Sequence, residues 1–300
     1  MSSLANVNCI AVFLHNRPFF GAHVVHIPFL SLLKKRHPHA MIVGISRSSG
    51  ASFLMEIGFL DAVEVIEKGG FLNLNKKYKF DMGFNLRPSS VSTALLMLGL
   101  RIPHRVGFKG KAGIAYTRSC PLDTSLYRAD LFLSLLNVSS SLEVCSYVRG
   151  YFSHGKHAHY KFLLAPGAGG KEKKWPLEYY IELAKMLQEY QVQSVYFLTG
   201  PQEEEEKNIL EKNGFNVIHN PNIASLFSLI RSCEVFISND CGPSHIAHIM
   251  GVKQLVIFKD YLPEWFLERE NSSYLASNDS LARIKPSRVM EEVFKVYSQP

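Results

Sequence analysis

Two successive doubly wound α/β domains are the architecture this sequence predicts, and three observations carry the prediction. Short apolar runs alternate with helix-patterned stretches from end to end, as parallel strands with helices on both faces require. The alternation lapses once, over 150–159, into Gly, Ser, His and Tyr, and then resumes for a second cycle. That second cycle holds a strand-turn-helix passage over 234–251 whose turn is densely polar, at the carboxyl end of a strand where ligands gather in α/β sheets.

Taken in order, the apolar run 9–14 predicts a first strand, followed after a loop by a helix over 24–35 with Val24, Ile27, Leu30 and Leu33 on one face. Runs 40–45, 63–66, 80–84 and 105–108 read as short buried strands. Between the last two, 89–100 is an apolar helix that Gly99 and Pro103 stop, and 122–136 is a further helix. The lapse at 150–159 marks a hinge, with domains 1–155 and 156–300 on either side. The second cycle runs strand 160–165, helix 176–190, strand 194–199, a very acidic helix 202–213, strand 215–219 and helix 223–232. After the strand-turn-helix come a strand over 254–258 and a last helix over 286–297, which is free to pack back on the first domain. No short-period repeat, coiled coil or low-complexity tract interrupts this order.

With 47% hydrophobic and 20% charged residues the chain is globular rather than disordered, and its 300 residues suffice for two domains. Five scattered cysteines without a Cys-x-x-Cys pair argue for reduced thiols in a cytoplasmic protein and against a zinc ribbon or disulfide framework. No apolar run reaches the roughly 18 residues of a membrane helix. Residues 1–150 hold 17 Lys and Arg against 8 Asp and Glu, while the remainder holds 16 against 18. A first half this basic suits an anionic partner, although a merely solvated basic surface gives the same count. A nucleic acid is not the partner expected, since neither an aromatic-studded basic strand nor a helix-turn-helix pattern is present.

In the polar passage, Pro243 sits at a helix start, where its missing N–H is unpaired in any case, and Gly251 sits where the helix stops. Free N–H groups of such a first turn bind anions, and Gly242 lets a phosphate or sugar approach the backbone. Asp240, Ser244 and His245 ring the same spot. The plainer alternative is that Asn239 and Asp240 only cap the helix. Cys241 beside Asp240 lacks the cationic neighbour of a nucleophile and reads as packing.

A glycine-rich turn, Pro166-Gly167-Ala168-Gly169-Gly170, leads into Lys171, Lys173, Lys174, Trp175 and Pro176. Flexible backbone beside three lysines suits a diphosphate, with neither the Walker A nor the dinucleotide spacing of glycines. Gly200-Pro201-Gln202-Glu203 ends a strand and starts a helix, where a carboxylate can take both hydroxyls of a ribose. The alternative there is an acidic first turn that complements the helix dipole.

These three elements together resemble the heptosyltransferase family, glycosyltransferase family 9, of lipopolysaccharide core assembly. The resemblance is specific over about 160–260, through Pro166-Gly167-Ala168, Lys173-Lys174-Trp175-Pro176, Gly200-Pro201-Gln202-Glu203 and Asn239-Asp240-Cys241-Gly242-Pro243-Ser244-His245. It is looser in the first half. It implies a GT-B fold, two Rossmann-like domains facing across a cleft, with the acceptor on the first and a nucleotide sugar on the second. It further implies inverting transfer, without metal or cofactor, of heptose from ADP-heptose to an anionic glycolipid, at the cytoplasmic face of the inner membrane with peripheral contact. Carried onto this chain, Lys173 meets the diphosphate and Glu203 the ribose. Asp240 with Gly242 and Pro243 meets the phosphates and sugar, His245 supports that turn, and Gly167, Ala168 and Cys241 line the same site.

One departure matters. Where the family carries an Asp that takes the proton of the acceptor hydroxyl, this chain has Ala22. His15, His23 and His26 are neighbours of suitable intrinsic pKa, and His23, next in line, is the candidate base. The alternatives are a catalytically silent nucleotide-sugar binder, or a transferase of the same fold with another sugar and surface-glycan acceptor.

Overall fold

The computed structural model describes residues 7–66, 71–152, 160–189 and 194–298. The chain divides into two compact units, Met1–Val148 and Arg149–Pro300. Each is built on its own six-stranded parallel sheet.

The strands of the first unit are β1 (Cys9–Phe13), β2 (Met41–Ser46), β3 (Ala62–Val65), β4 (Met82–Asn85), β5 (His104–Phe108) and β6 (Arg118–Cys120), ordered β3-β2-β1-β4-β5-β6. Its helices are α1 (Gly21–Val24), α2 (Ile27–Arg36), α3 (Phe53–Glu56), α4 (Phe71–Lys77), α5 (Val91–Gly99), α6 (Arg128–Ser134) and α7 (Leu142–Tyr151). The second unit has strands β7 (Tyr160–Ala165), β8 (Val195–Thr199), β9 (Asn216–His219), β10 (Cys233–Asn239), β11 (Lys253–Phe258) and β12 (Ser272–Ala276), ordered β12-β11-β10-β7-β8-β9. Its helices are α8 (Leu177–Glu189), α9 (Glu204–Lys212), α10 (Ile223–Arg231), α11 (Gly242–Met250) and α12 (Pro286–Tyr297). Counted from the start of each unit, both sheets follow the same order, with the chain reversing direction between β1 and β4 and between β7 and β10. Such reversals leave a crevice at the carboxyl ends of the two strands.

The central strands are apolar because helices cover both faces. All five residues of β1 are buried, as are six of the seven of β10. Two expected helices come out differently. The helix over 24–35 is two, α1 and α2, because Pro28 in the first turn of α2 has no N–H to continue the earlier ladder. The helix over 122–136 shrinks to α6, since the carboxylate of Asp123 takes the N–H and hydroxyl of Ser125 at 2.9 and 2.6 Å and closes a local turn.

The division between units falls within α7, whereas the expected boundary was 155/156; residues 153–159 of the expected hinge lie outside the described residues. The last helix packs within the second unit. α12 lays Val289, Met290 and Val293 into the second unit's core beside Leu183 and Leu187 of α8 and Leu255 of β11, which uses up its apolar stripe. Among the described residues no helix is long and apolar enough to cross a membrane.

Candidate functional site

At the β7/β10 reversal a single buried side chain joins the two strand ends. Asn239, the last residue of β10, donates from Nδ2 to the carbonyl of Pro166 at 2.7 Å and accepts from the backbone N–H of Trp175 at 3.0 Å. Trp175 is itself buried, with Nε1 donating to the Ile284 carbonyl at 2.8 Å. The glycine-rich loop is thus clamped at both ends. Asn239 is spent on this clamp and Asp240 on an ion pair. Neither caps α11, whose N-cap is Cys241 and whose first turn receives no side-chain cap. Gly242 is the first helical residue and Pro243 the second, one place later than expected and still a position whose N–H has no intrahelical partner. Gly251 closes the helix at φ 72°, a left-handed cap that favours glycine.

Two lysines leave the short 3-10 turn Lys171–Lys173 in different directions. Lys173 Nζ donates to Asp240 Oδ2 at 2.7 Å, beside the start of α11. Lys174 Nζ reaches Glu206 at 2.7 Å and Glu203 at 3.3 Å. Burial would lower the Lys174 pKa, but the two carboxylates outweigh it and hold it above its ordinary value. Glu203 is buried, separate from the exposed-side run Glu204 to Glu206, and its Oε2 accepts the N–H of Gly200 at 3.0 Å. Its carboxylate lies against Gly167, where a Cβ would stand 3.0 Å from the carboxyl carbon, so only glycine leaves the space unforced. The half-buried Gly167 and Ala168, with Lys173, Glu203, Asp240, Gly242 and Pro243, therefore gather at the carboxyl ends of β7, β8 and β10.

His245 sits in the first turn of α11, buried, with its ring 6.0 Å from that of Trp265. Burial pushes its pKa down to about 4, against the pull of Asp240, so the ring is neutral at pH 7. Burial pushes the Cys241 thiol up to about 12, which fits packing and not nucleophilic use. Sequence reasoning missed Lys174 as the partner of Glu203. It also missed His219, which sits at the end of β9 with Nδ1 2.9 Å from Thr199 Oγ1 and Nε2 2.9 Å from Glu204. Both follow from chain segments far apart in sequence and left no local signal.

In the first unit, the loop after β1 gathers His15, His23 and His26, with ring centroids 5.5 Å apart for His15–His26 and 5.6 Å for His23–His26. The position expected of a base is not an accessible one. His23 is fully buried and its Nε2 donates to the Arg17 carbonyl at 2.7 Å, which leaves Nδ1 as the unprotonated nitrogen, enclosed and without a hydrogen-bond partner among the described residues. Burial lowers its pKa, lowers that of His15 to about 3 and drives that of His26 well below the ordinary value. His26 stacks on Phe132 at 5.0 Å. In this structure the His23 imidazole packs the loop, with its unprotonated nitrogen turned away from solvent. Ala22 is buried beside it. Arg87, at the end of β4, donates to the carbonyls of Leu14 and Ile45 and fixes the same strand ends.

The model of glycosyltransferase family 9 (heptosyltransferase) matches residues 137–291, more than half of the chain. Lipopolysaccharide heptosyltransferase 2 of Escherichia coli K12 is 23% identical over 281 residues, covering 77% of this chain and 80% of that protein. Lipooligosaccharide heptosyltransferase 2 of Campylobacter jejuni is 32% identical over 107 residues, 32% of each chain. Among solved structures, E. coli heptosyltransferase WaaC with ADP-2-deoxy-2-fluoro heptose superposes with a TM-score of 0.74 at 14% identity, over 95% of this chain and 99% of that one. E. coli ADP-heptose LPS heptosyltransferase II gives 0.67 at 20% identity, over 96% and 98%.

Proposed function

The chain belongs to glycosyltransferase family 9, the heptosyltransferases, and from that premise we propose that it transfers a heptosyl group from ADP-heptose to a lipopolysaccharide core acceptor. The observation that carries the reading is the pairing of Lys173 with Asp240 at the uncapped start of α11, next to Glu203 over Gly167. A diphosphate set against that helix start meets N–H groups and an ammonium, and Glu203 faces the ribose side of the same loop pair. Lys173 and the helix dipole stabilise the departing ADP, so activity survives EDTA. The transfer inverts the anomeric carbon. The second unit binds the donor and the basic first unit the acceptor, a phosphorylated or acidic glycolipid, at the cytoplasmic face of the inner membrane.

A second reading, a donor binder without transfer, is favoured by one observation: Ala22 offers no proton acceptor and His23 is enclosed. The two separate in one experiment. ADP and ADP-heptose raise the melting temperature under both readings, whereas mass-spectrometric detection of heptosylated core oligosaccharide occurs only under the first. Without a shift from either nucleotide, both readings fall.

A further inference from the structure

Between β4 and the end of β6 the first unit carries a charge pattern that the donor site does not use. Residues 82–122 contain Arg87, Arg101, Arg105, Lys109, Lys111 and Arg118, and no Asp or Glu. Arg87 and Arg105 are committed to backbone carbonyls, and Arg118 reaches Asn137. Lys109 and Lys111 are exposed and make no ion pair among the described residues. Next to them lies an apolar face. α5 turns Thr93, Ala94 and Met97 inward and presents Val91, Leu95 and Leu98 outward at i, i+4 and i+7, exposed by 40%, 59% and 42%. Ala94 packs on Ala112 and Ala115, which brings the loop bearing Lys109 and Lys111 alongside, with Ile114 at its tip 95% exposed.

We propose that the Leu95–Leu98 face of α5 and the Ile114 loop dock this protein on an anionic lipid surface. Aliphatic side chains flanked by unpaired lysines are what an interfacial contact uses, the former entering the acyl boundary and the latter the phosphate layer. Charge selects this occupant over a second copy of the chain, because a two-fold contact through the same face sets Lys109 and Lys111 against their own counterparts. The inference rests on the glycolipid acceptor proposed above and names the surface that brings the enzyme to it.

The test is co-sedimentation of the full chain with vesicles of phosphatidylcholine alone and of phosphatidylcholine mixed with phosphatidylglycerol. Binding is expected to the mixed vesicles only, and to weaken as salt rises. Leu95→Ser with Ile114→Ser, and separately Lys109→Glu with Lys111→Glu, should each lower partitioning by about tenfold or more. All four positions are exposed, so melting temperatures should stay near wild type. Transfer to acceptor held in mixed vesicles should fall in parallel, with transfer to a deacylated, water-soluble acceptor unchanged. Equal binding to both vesicle types, or variants that bind like wild type, would overturn the proposal. So would an apolar variant that converts a dimer to a monomer in analytical ultracentrifugation, since the face then belongs to a second copy. If no form modifies the soluble acceptor while vesicle binding follows the expected pattern, the transfer reading fails and the docking surface stands.

Discussion

Asp240 aims the Lys173 ammonium at the start of α11 from 2.7 Å, and it is only partly buried, so its removal leaves the fold intact and the site altered. Asp240→Ala is expected to weaken ADP binding by about 1.5–3 kcal/mol, the worth of a charge-assisted contact, with an unchanged melting temperature; calorimetric titration reads the first and a thermal scan the second. Unaltered affinity in the folded variant would reduce Asp240 to loop support. Lys174 makes a separate prediction. It is the cation on Glu203, so Lys174→Met should weaken ADP by about 1–3 kcal/mol while affecting an ADP analogue without ribose hydroxyls far less. Equal losses for both ligands would mean that Lys174 serves the loop and not the carboxylate. Lys173, Glu203 and Asp240 stood out in the sequence because each lies on a segment that leaves a recognisable strand, and the structure puts Lys173 on Asp240 and Glu203 against Gly167. Lys174 did not stand out, since adjacent lysines look alike until the 3-10 turn sends one to Asp240 and the other to Glu203. His23 is a related case: its position beside Ala22 is written in the sequence, but its burial is not, since that comes from the His26 ring beside it and the Arg17 backbone that its Nε2 meets.

At the scale of elements, the site depends on two strands being held in register at their ends. Asn239 does this with one side chain, and Asn239→Ala should cost about 1–3 kcal/mol of stability, because the Trp175 N–H loses its acceptor in a buried place. Chemical denaturation measures this cost, and Asn239→Asp, which keeps the acceptor and loses the donor to Pro166, tells the two bonds apart. Elements with strong apolar runs were legible to within two residues: β1, β7, β8, β10, β11 and α12 all lie where periodicity put them. Those that were not legible lack such runs. β6 is three residues that begin at an exposed arginine, and β12 opens with two serines at the sheet edge. Both form because a neighbouring strand supplies hydrogen bonds, information that belongs to the sheet and not to the segment.

Over the whole molecule, buried histidines set the response to acid. His15, His23 and His26 in the first unit and His245 and His248 in the second all have pKa values lowered chiefly by burial, to about 3 for His15 and about 4 for His245. Each is neutral in the fold and protonated in the unfolded chain once the pH drops below about 6.5. The unfolded state then binds more protons, so the stability these groups contribute is complete above 6.5 and is lost as the pH falls toward their folded values. Each contributes up to about 1.4 kcal/mol per pH unit in that window. Carboxylates held by cations, such as Glu206 on Lys174, act on the same sign only at lower pH, near and below the ordinary glutamate value of 4.5. A fall in melting temperature between pH 7 and 5 is therefore the histidine signature, and a flat profile there would contradict the burial of these rings. The same groups decide how a rate profile is to be interpreted. Activity lost below pH 6 should track the folded fraction and return on neutralisation, whereas kcat corrected for folded enzyme should show no inflection near 6.5, because burial holds every histidine in both clusters below its ordinary value while the protein is folded. A surviving inflection near 6.5 would bring back an accessible histidine base, and His23→Ala would identify whether it is this one.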